Sequence, residues 1–205
     1  MTEGRSPRTF YSRPAAVVAV DLVGRTLFHE TDEGLTAGRI VEVEAYGGSD
    51  DPASHAFRGM TMRNAAMFGP PGHLYVYFTY GMHFCANVVT EKDGIAGAVL
   101  LRAVEPTIGL ELMAERRGVQ DIHKLAKGPA RLCQAFGLSK QHNGVDLVKG
   151  QAWIGRHKQV NGPIEVTERI GLSAGNQARL RYFEQGPWVS GPKSLAAGSA
   201  AGSDR

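Results

Sequence analysis

Cysteine is scarce, with two in 205 residues. Cys85 and Cys133 each stand in an apolar stretch, so both read as buried free thiols and not as a bridge or metal ligands. A disulfide-stapled scaffold is thereby excluded, and a reducing cytoplasm is the expected setting. No apolar run is long enough to cross a bilayer, and the first residues lack the apolar core of a secretion signal. No membrane partner is expected. Phosphate-cradling GxxxxGK and GxGxxG sequences are missing, which removes the commonest nucleotide-cofactor classes. The seven histidines form no His-x-x-x-His and join no Cys-x-x-Cys, so neither metal nor cofactor is expected. A Gly-x-Ser-x-Gly elbow is absent too, and internal repeats are not seen.

What remains is an ordinary globular composition of 42% hydrophobic and 21% charged residues. A net charge of +3 permits an anionic partner without requiring one. Residues 1–13, with Arg5, Arg8 and Arg13, read as a flexible arm. Residues 191–205, rich in Gly, Ala and Ser, read as a flexible tail. One domain is expected over 14–190.

Punctuation by glycine and proline predicts helices at Ala15–Leu22, from Pro106 to Gly118, and at Pro129–Phe136. Strands are expected at 26–30, 38–46, 73–80, 82–89 and 97–104, with more between 145 and 188. Strands in hairpins beside separate helices point to an α+β fold with antiparallel pairing.

Along 38–46 the period of two puts Val41, Val43 and Ala45 on one face and Glu42, Glu44 and Tyr46 on the other. Two carboxylates about 7 Å apart suit glycosidic chemistry, although a Glu-x-Glu on a strand is commonly just solvated. Tyr46, His55, Tyr75 and Tyr77 give the carboxylates company: together they could enclose a flat, hydrogen-bonding ring. A base lifted from a duplex needs such aromatic surfaces and a carboxylate near its sugar. Arg58, Arg63, Arg102, Arg116, Arg117, Lys124, Lys127 and Arg131 recur where a phosphate backbone could lie. Of these, Arg63, Lys127 and Arg131 are singled out as backbone contacts.

Gly38-Arg39-Ile40-Val41-Glu42-Val43-Glu44-Ala45-Tyr46, Ser54-His55 and Met62-Arg63-Asn64-Ala65-Ala66-Met67-Phe68 closely resemble the alkyladenine (3-methyladenine) DNA glycosylase family. So do the blocks Pro71 to Asn87, Leu100 to Pro106, Gly128 to Ala135, Arg169-Ile170-Gly171 and Gly186 to Ser190. The likeness covers roughly 9–190 and marks a bacterial-type member. It implies a single domain built on a curved, largely antiparallel sheet, with a protruding hairpin that enters DNA. Implied as well is base-excision repair: alkylated, and in some members deaminated, purines are flipped from double-stranded DNA and hydrolysed off without metal or cofactor. By matching motif, Glu44 is the general base and Arg102 helps hold the attacking water. Tyr46, His55 and Tyr77 form the base pocket, Asn87 disfavours a 2-amino group, and Tyr80 is the wedge left in the duplex. With no lysine placed as a Schiff-base nucleophile, an abasic product without strand cleavage is expected. A monomer acting on the nucleoid in the cytoplasm completes the picture. The rivals are a damage-binding protein without turnover and a nucleoside or glycoside hydrolase using Glu42 and Glu44 as a pair.

Overall fold

The computed structural model describes residues 4–79, 81–172 and 177–191. In chain order it contains α1 (Arg8–Tyr11), α2 (Ala15–Leu22), β1 (Arg25–Thr31), β2 (Gly34–Tyr46), β3 (Leu74–Thr79), β4 (His83–Val89), β5 (Ala98–Ile108), α3 (Leu110–Arg117), α4 (Pro129–Phe136), β6 (Ala152–Lys158), β7 (Ile164–Thr167) and β8 (Arg181–Glu184). The strands form one sheet in the order β3-β4-β5-β2-β1-β6, and β8 pairs with both β2 and β7. Every pairing is antiparallel. The α+β expectation therefore holds, and no helix among the described residues is long and apolar enough to cross a membrane.

The 13-residue β2 organises the molecule. One edge pairs with β5 over most of its length, while the other is shared: Gly34 to Arg39 pair with β1, and Glu42 to Glu44 pair with β8. Its apolar side chains Ile40, Val43 and Ala45 enter a core with Val18 and Leu22 of α2, Leu101 and Val104 of β5, and Leu132 and Phe136 of α4. The matched helix punctuation is visible in α4, with proline in its first turn and Gly137 in the left-handed conformation behind it.

Three expectations need correcting. Val41 is buried but does not join the apolar cluster of Val43 and Ala45; it borders a groove with Arg39, Glu105 and Glu184. The pairing of β2 with β5 shifts register between Ile40 and Glu42, and such a bulge re-aims side chains that strict alternation would place elsewhere. Pro106 opens no helix, because β5 continues to Ile108 by pairing Pro106 with Gly38 and Ile108 with Ala37. The turn into α3 falls instead at Gly109, whose φ of 73° suits glycine.

The third concerns the N-terminal arm. Residues 4–13 are packed against the domain: Ser6 N donates to Ile154 O at 2.8 Å, Arg5 bridges to Gly155, and Tyr11 is fully buried. Arg8 bonds Asp146 and the Pro71 carbonyl, so arginines that look solvated in sequence are here ties to the fold. The tail beyond Gly191 lies outside the described residues.

Candidate active site

The site begins with β2. Glu42 and Glu44 are both fully buried, and a buried carboxylate needs partners to offset its lost hydration. Each has a full set, of different kinds. Glu42 Oε1 accepts from Arg102 Nε and from Arg181 Nε, both at 2.8 Å, and Oε2 accepts from Ser190 N at 2.6 Å. Glu44 Oε1 accepts from Ile170 N at 2.8 Å and faces Arg102 Nη1 at 3.2 Å, while Oε2 accepts from the Tyr46 hydroxyl at 2.8 Å. Arg102 reaches both because the β2–β5 register steps over it, pairing Glu42 with Ala103 and Val43 with Leu101. Burial opposes the charge on Arg102, but Glu44 and Glu42 outweigh it and hold its pKa above the ordinary value.

Tyr46 leads from the carboxylate to a pocket that is also lined by Ala53, His55, Met67, Tyr75, Tyr77, Asn87, Ala98 and Leu172. The His55 ring stands 4.6 Å from that of Tyr77, near perpendicular, and its Nδ1 shares a 2.9 Å hydrogen bond with the Tyr75 hydroxyl. Asn64 fixes the loop beneath by donating to the carbonyls of His55 and Gly59. Asn87, opposite Tyr75 in the β3–β4 pairing, donates from Nδ2 to Tyr75 O at 3.0 Å.

The pocket walls are electrically quiet. Burial, then Glu44, drives the Tyr46 pKa far up, and burial, then Cys85, does the same for Tyr77. Burial pushes Tyr75 up to about 12. All three phenols therefore stay protonated near neutrality. Burial, then Arg63, lowers the His55 pKa, which keeps the imidazole uncharged.

The fold thus brings together Glu44, Arg102, Tyr46, His55, Tyr77 and Asn87. Tyr80 lies outside the described residues. Arg63 stands at the pocket's edge, its guanidinium carbon 6.0 Å from the Tyr77 ring centre, donating to Phe78 O at 3.3 Å. Lys127 and Arg131 sit apart from the pocket lining, Lys127 donating to Pro187 O at 3.0 Å and Arg131 being exposed. Arg116 and Arg117 are turned inward, the first to Glu33 and Ala135 O, the second to Gln134 and Leu125 O.

Five contributors escaped the reading from sequence: Arg181 and Ser190 around Glu42, Ile170 on Glu44, and Asp51 and Arg169, paired beside Tyr46. All but Asp51 come from the last 40 residues of the chain, where strands are short. The Arg169-Ile170-Gly171 and Gly186 to Ser190 blocks were the available signals. The paired-carboxylate hydrolase loses its ground, because Glu42 is spent on two guanidinium groups and an amide.

The chain matches the family model described as methylpurine-DNA glycosylase over residues 9–187. It is 48% identical over 184 residues to a protein of Chlorobaculum tepidum, covering 88% of each chain. A Carboxydothermus hydrogenoformans protein is 47% identical over 179 residues, covering 86% of this chain and 93% of its own. One from Methanoculleus marisnigri is 46% identical over 186 residues, covering 88% and 95%. All three carry the provisional name 3-methyladenine DNA glycosylase.

Proposed function

The chain belongs to the methylpurine-DNA glycosylase family, as a monofunctional glycosylase that removes alkylated bases in DNA repair, and on that premise we propose that Glu44 is its general base. Glu44, ionised, takes a proton from a water that attacks the sugar C1′ while the purine departs, through a transition state of oxocarbenium character. Arg102 holds that water against the carboxylate and steadies the charge. The observation that carries this is the placement of Glu44 at the end of a hydrogen bond from Tyr46, itself a wall of the aromatic pocket.

Tyr46, His55 and Tyr77 enclose the flipped base, and Asn87 disfavours a 2-amino group at its edge. An N3- or N7-alkylated purine carries a positive charge and leaves without protonation, and it gains cation–π attraction of about 1–2 kcal/mol in a dry aromatic pocket. Deaminated purines are neutral and poorer leaving groups, so they rank as secondary substrates. Tyr80, in the chain between Thr79 and Gly81 that joins β3 to β4, fills the gap in the duplex. Arg63, Lys127 and Arg131 contact the phosphate backbone, and the enzyme works as a monomer.

The test is single-turnover release of base from a duplex carrying one alkylated purine. Wild type releases the base and leaves an abasic site, while Glu44→Gln is slower by about 10²- to 10⁴-fold. Undiminished release by Glu44→Gln overturns the assignment.

A further inference from the structure

Behind the pocket lies an ion pair that the mechanism above does not use. The Arg169 side chain is 0% exposed and that of Asp51 9%. Arg169 Nη1 and Nη2 bond separate oxygens of Asp51 at 2.6 and 2.8 Å, and Nη1 also donates to Ala45 O at 3.0 Å. Asp51 accepts further bonds from Gly47 N and Ala53 N. Burial alone would raise the Asp51 pKa, but Arg169 and these amides outweigh it and keep the carboxylate ionised.

The Arg169 guanidinium carbon stands 4.6 Å from the centre of the Tyr46 ring. Tyr46 lines the pocket and Arg169 does not, so the pocket and the cation share this ring without the guanidinium itself forming a pocket wall. A ring whose electrons are drawn toward one cation has less to offer a second. An uncompensated guanidinium here would therefore repel a positively charged base, and in a water-poor site that repulsion is weakly screened. The bidentate carboxylate cancels it at close range.

We propose that Asp51 is a specificity-determining residue: by neutralising Arg169 behind Tyr46, it lets the pocket prefer cationic purines over neutral ones. The inference rests on the pocket being the base pocket. Asp51 acts through Tyr46 and touches no substrate, so its signature is a change in selectivity and not a general loss.

The experiment measures binding of two duplexes, one with 7-methyladenine and one with hypoxanthine, neither bearing a 2-amino group and each on a 2′-fluoro sugar that resists cleavage, beside an undamaged duplex. In Asp51→Asn the preference for the cationic lesion falls about tenfold. In the Asp51→Asn, Arg169→Met double variant it returns toward the wild-type ratio, because both charges are gone. Arg169→Met alone raises the ratio, which carries the test if Asp51→Asn does not fold. Equal losses on both lesions, or an unchanged ratio in these variants, overturns the proposal. Wild type binding neither lesion better than undamaged duplex overturns the reading of the pocket itself.

Discussion

Arg102 meets two carboxylates through different nitrogens, Nε to Glu42 at 2.8 Å and Nη1 to Glu44 at 3.2 Å. The Glu42 contact is one of three tight bonds that saturate a structural anion. The Glu44 contact is longer, and its carboxylate also carries the phenol that borders the pocket. Adjacent positions on one strand face thus have separate duties, and variants can separate them.

Glu42→Gln leaves Arg102 and Arg181 facing a neutral group in the buried sheet centre. Breaking a buried pair by removing one partner costs about 3–5 kcal/mol. Denaturant melts are expected to show this loss for Glu42→Gln. Glu44→Gln should slow base release by about 10²- to 10⁴-fold while costing less stability, since only one guanidinium loses a longer contact.

Tyr46→Phe keeps the ring and removes the hydroxyl that bonds Glu44 Oε2. Lesion binding should stay near wild type, while the single-turnover rate falls about tenfold, the scale of a hydrogen bond to a charged group. Tyr46→Ala loses both quantities.

Histidine protonation sets an acid limit on stability. Burial lowers the pKa of His29, His55 and His142 below the ordinary 6.5, and the rings of His29 and His142 stand 4.7 Å apart. Folded, each binds fewer protons than unfolded, so its contribution is fully present above pH 6.5 and is lost as pH falls from there through the folded value. Denaturation midpoints should fall between pH 7.5 and 5.5. The drop should shrink in His29→Asn, which keeps a donor for the Phe136 carbonyl that His29 Nδ1 now contacts at 2.7 Å.

Arg63 tunes the same titration at the pocket. Arg63→Gln removes a charge that holds the His55 pKa down. The His55 resonance, followed by NMR, should titrate at higher pH in this variant than in wild type. An unmoved midpoint would place Arg63's charge elsewhere.

Tyr80→Ala should slow base release from duplex far more than from an already unpaired lesion, because only the duplex needs the gap filled. Equal slowing on both substrates would remove the wedge role.

Local patterns made much of this legible. Pro129 and Gly137 bracket α4, and the period of two along β2 put Glu44 and Tyr46 side by side. The family blocks then joined β2 to Arg102, His55, Tyr77 and Asn87. Beyond reach were features made only by distant pairing. The β2–β5 ladder overrides the helical look of Pro106, a register shift separates Val41 from the cluster of Val43 and Ala45, and Arg8 spends its charge on Asp146. Nothing in the sequence around Asp51 announces an arginine 118 residues later.

That separation bears on the order in which the molecule can be assembled. Ile170 reaches Glu44 across 126 residues, Arg181 reaches Glu42 across 139, and Ser190 reaches it across 148. Until the last stretch of chain docks, the centre of β2 holds two acids without most of their donors. A chain emerging amino end first cannot close its sheet around them, and such long-range contacts slow folding. The surroundings of Glu44 are therefore among the last things this polypeptide completes, and a nascent or clipped chain ending before residue 169 leaves that carboxylate without its Ile170 amide.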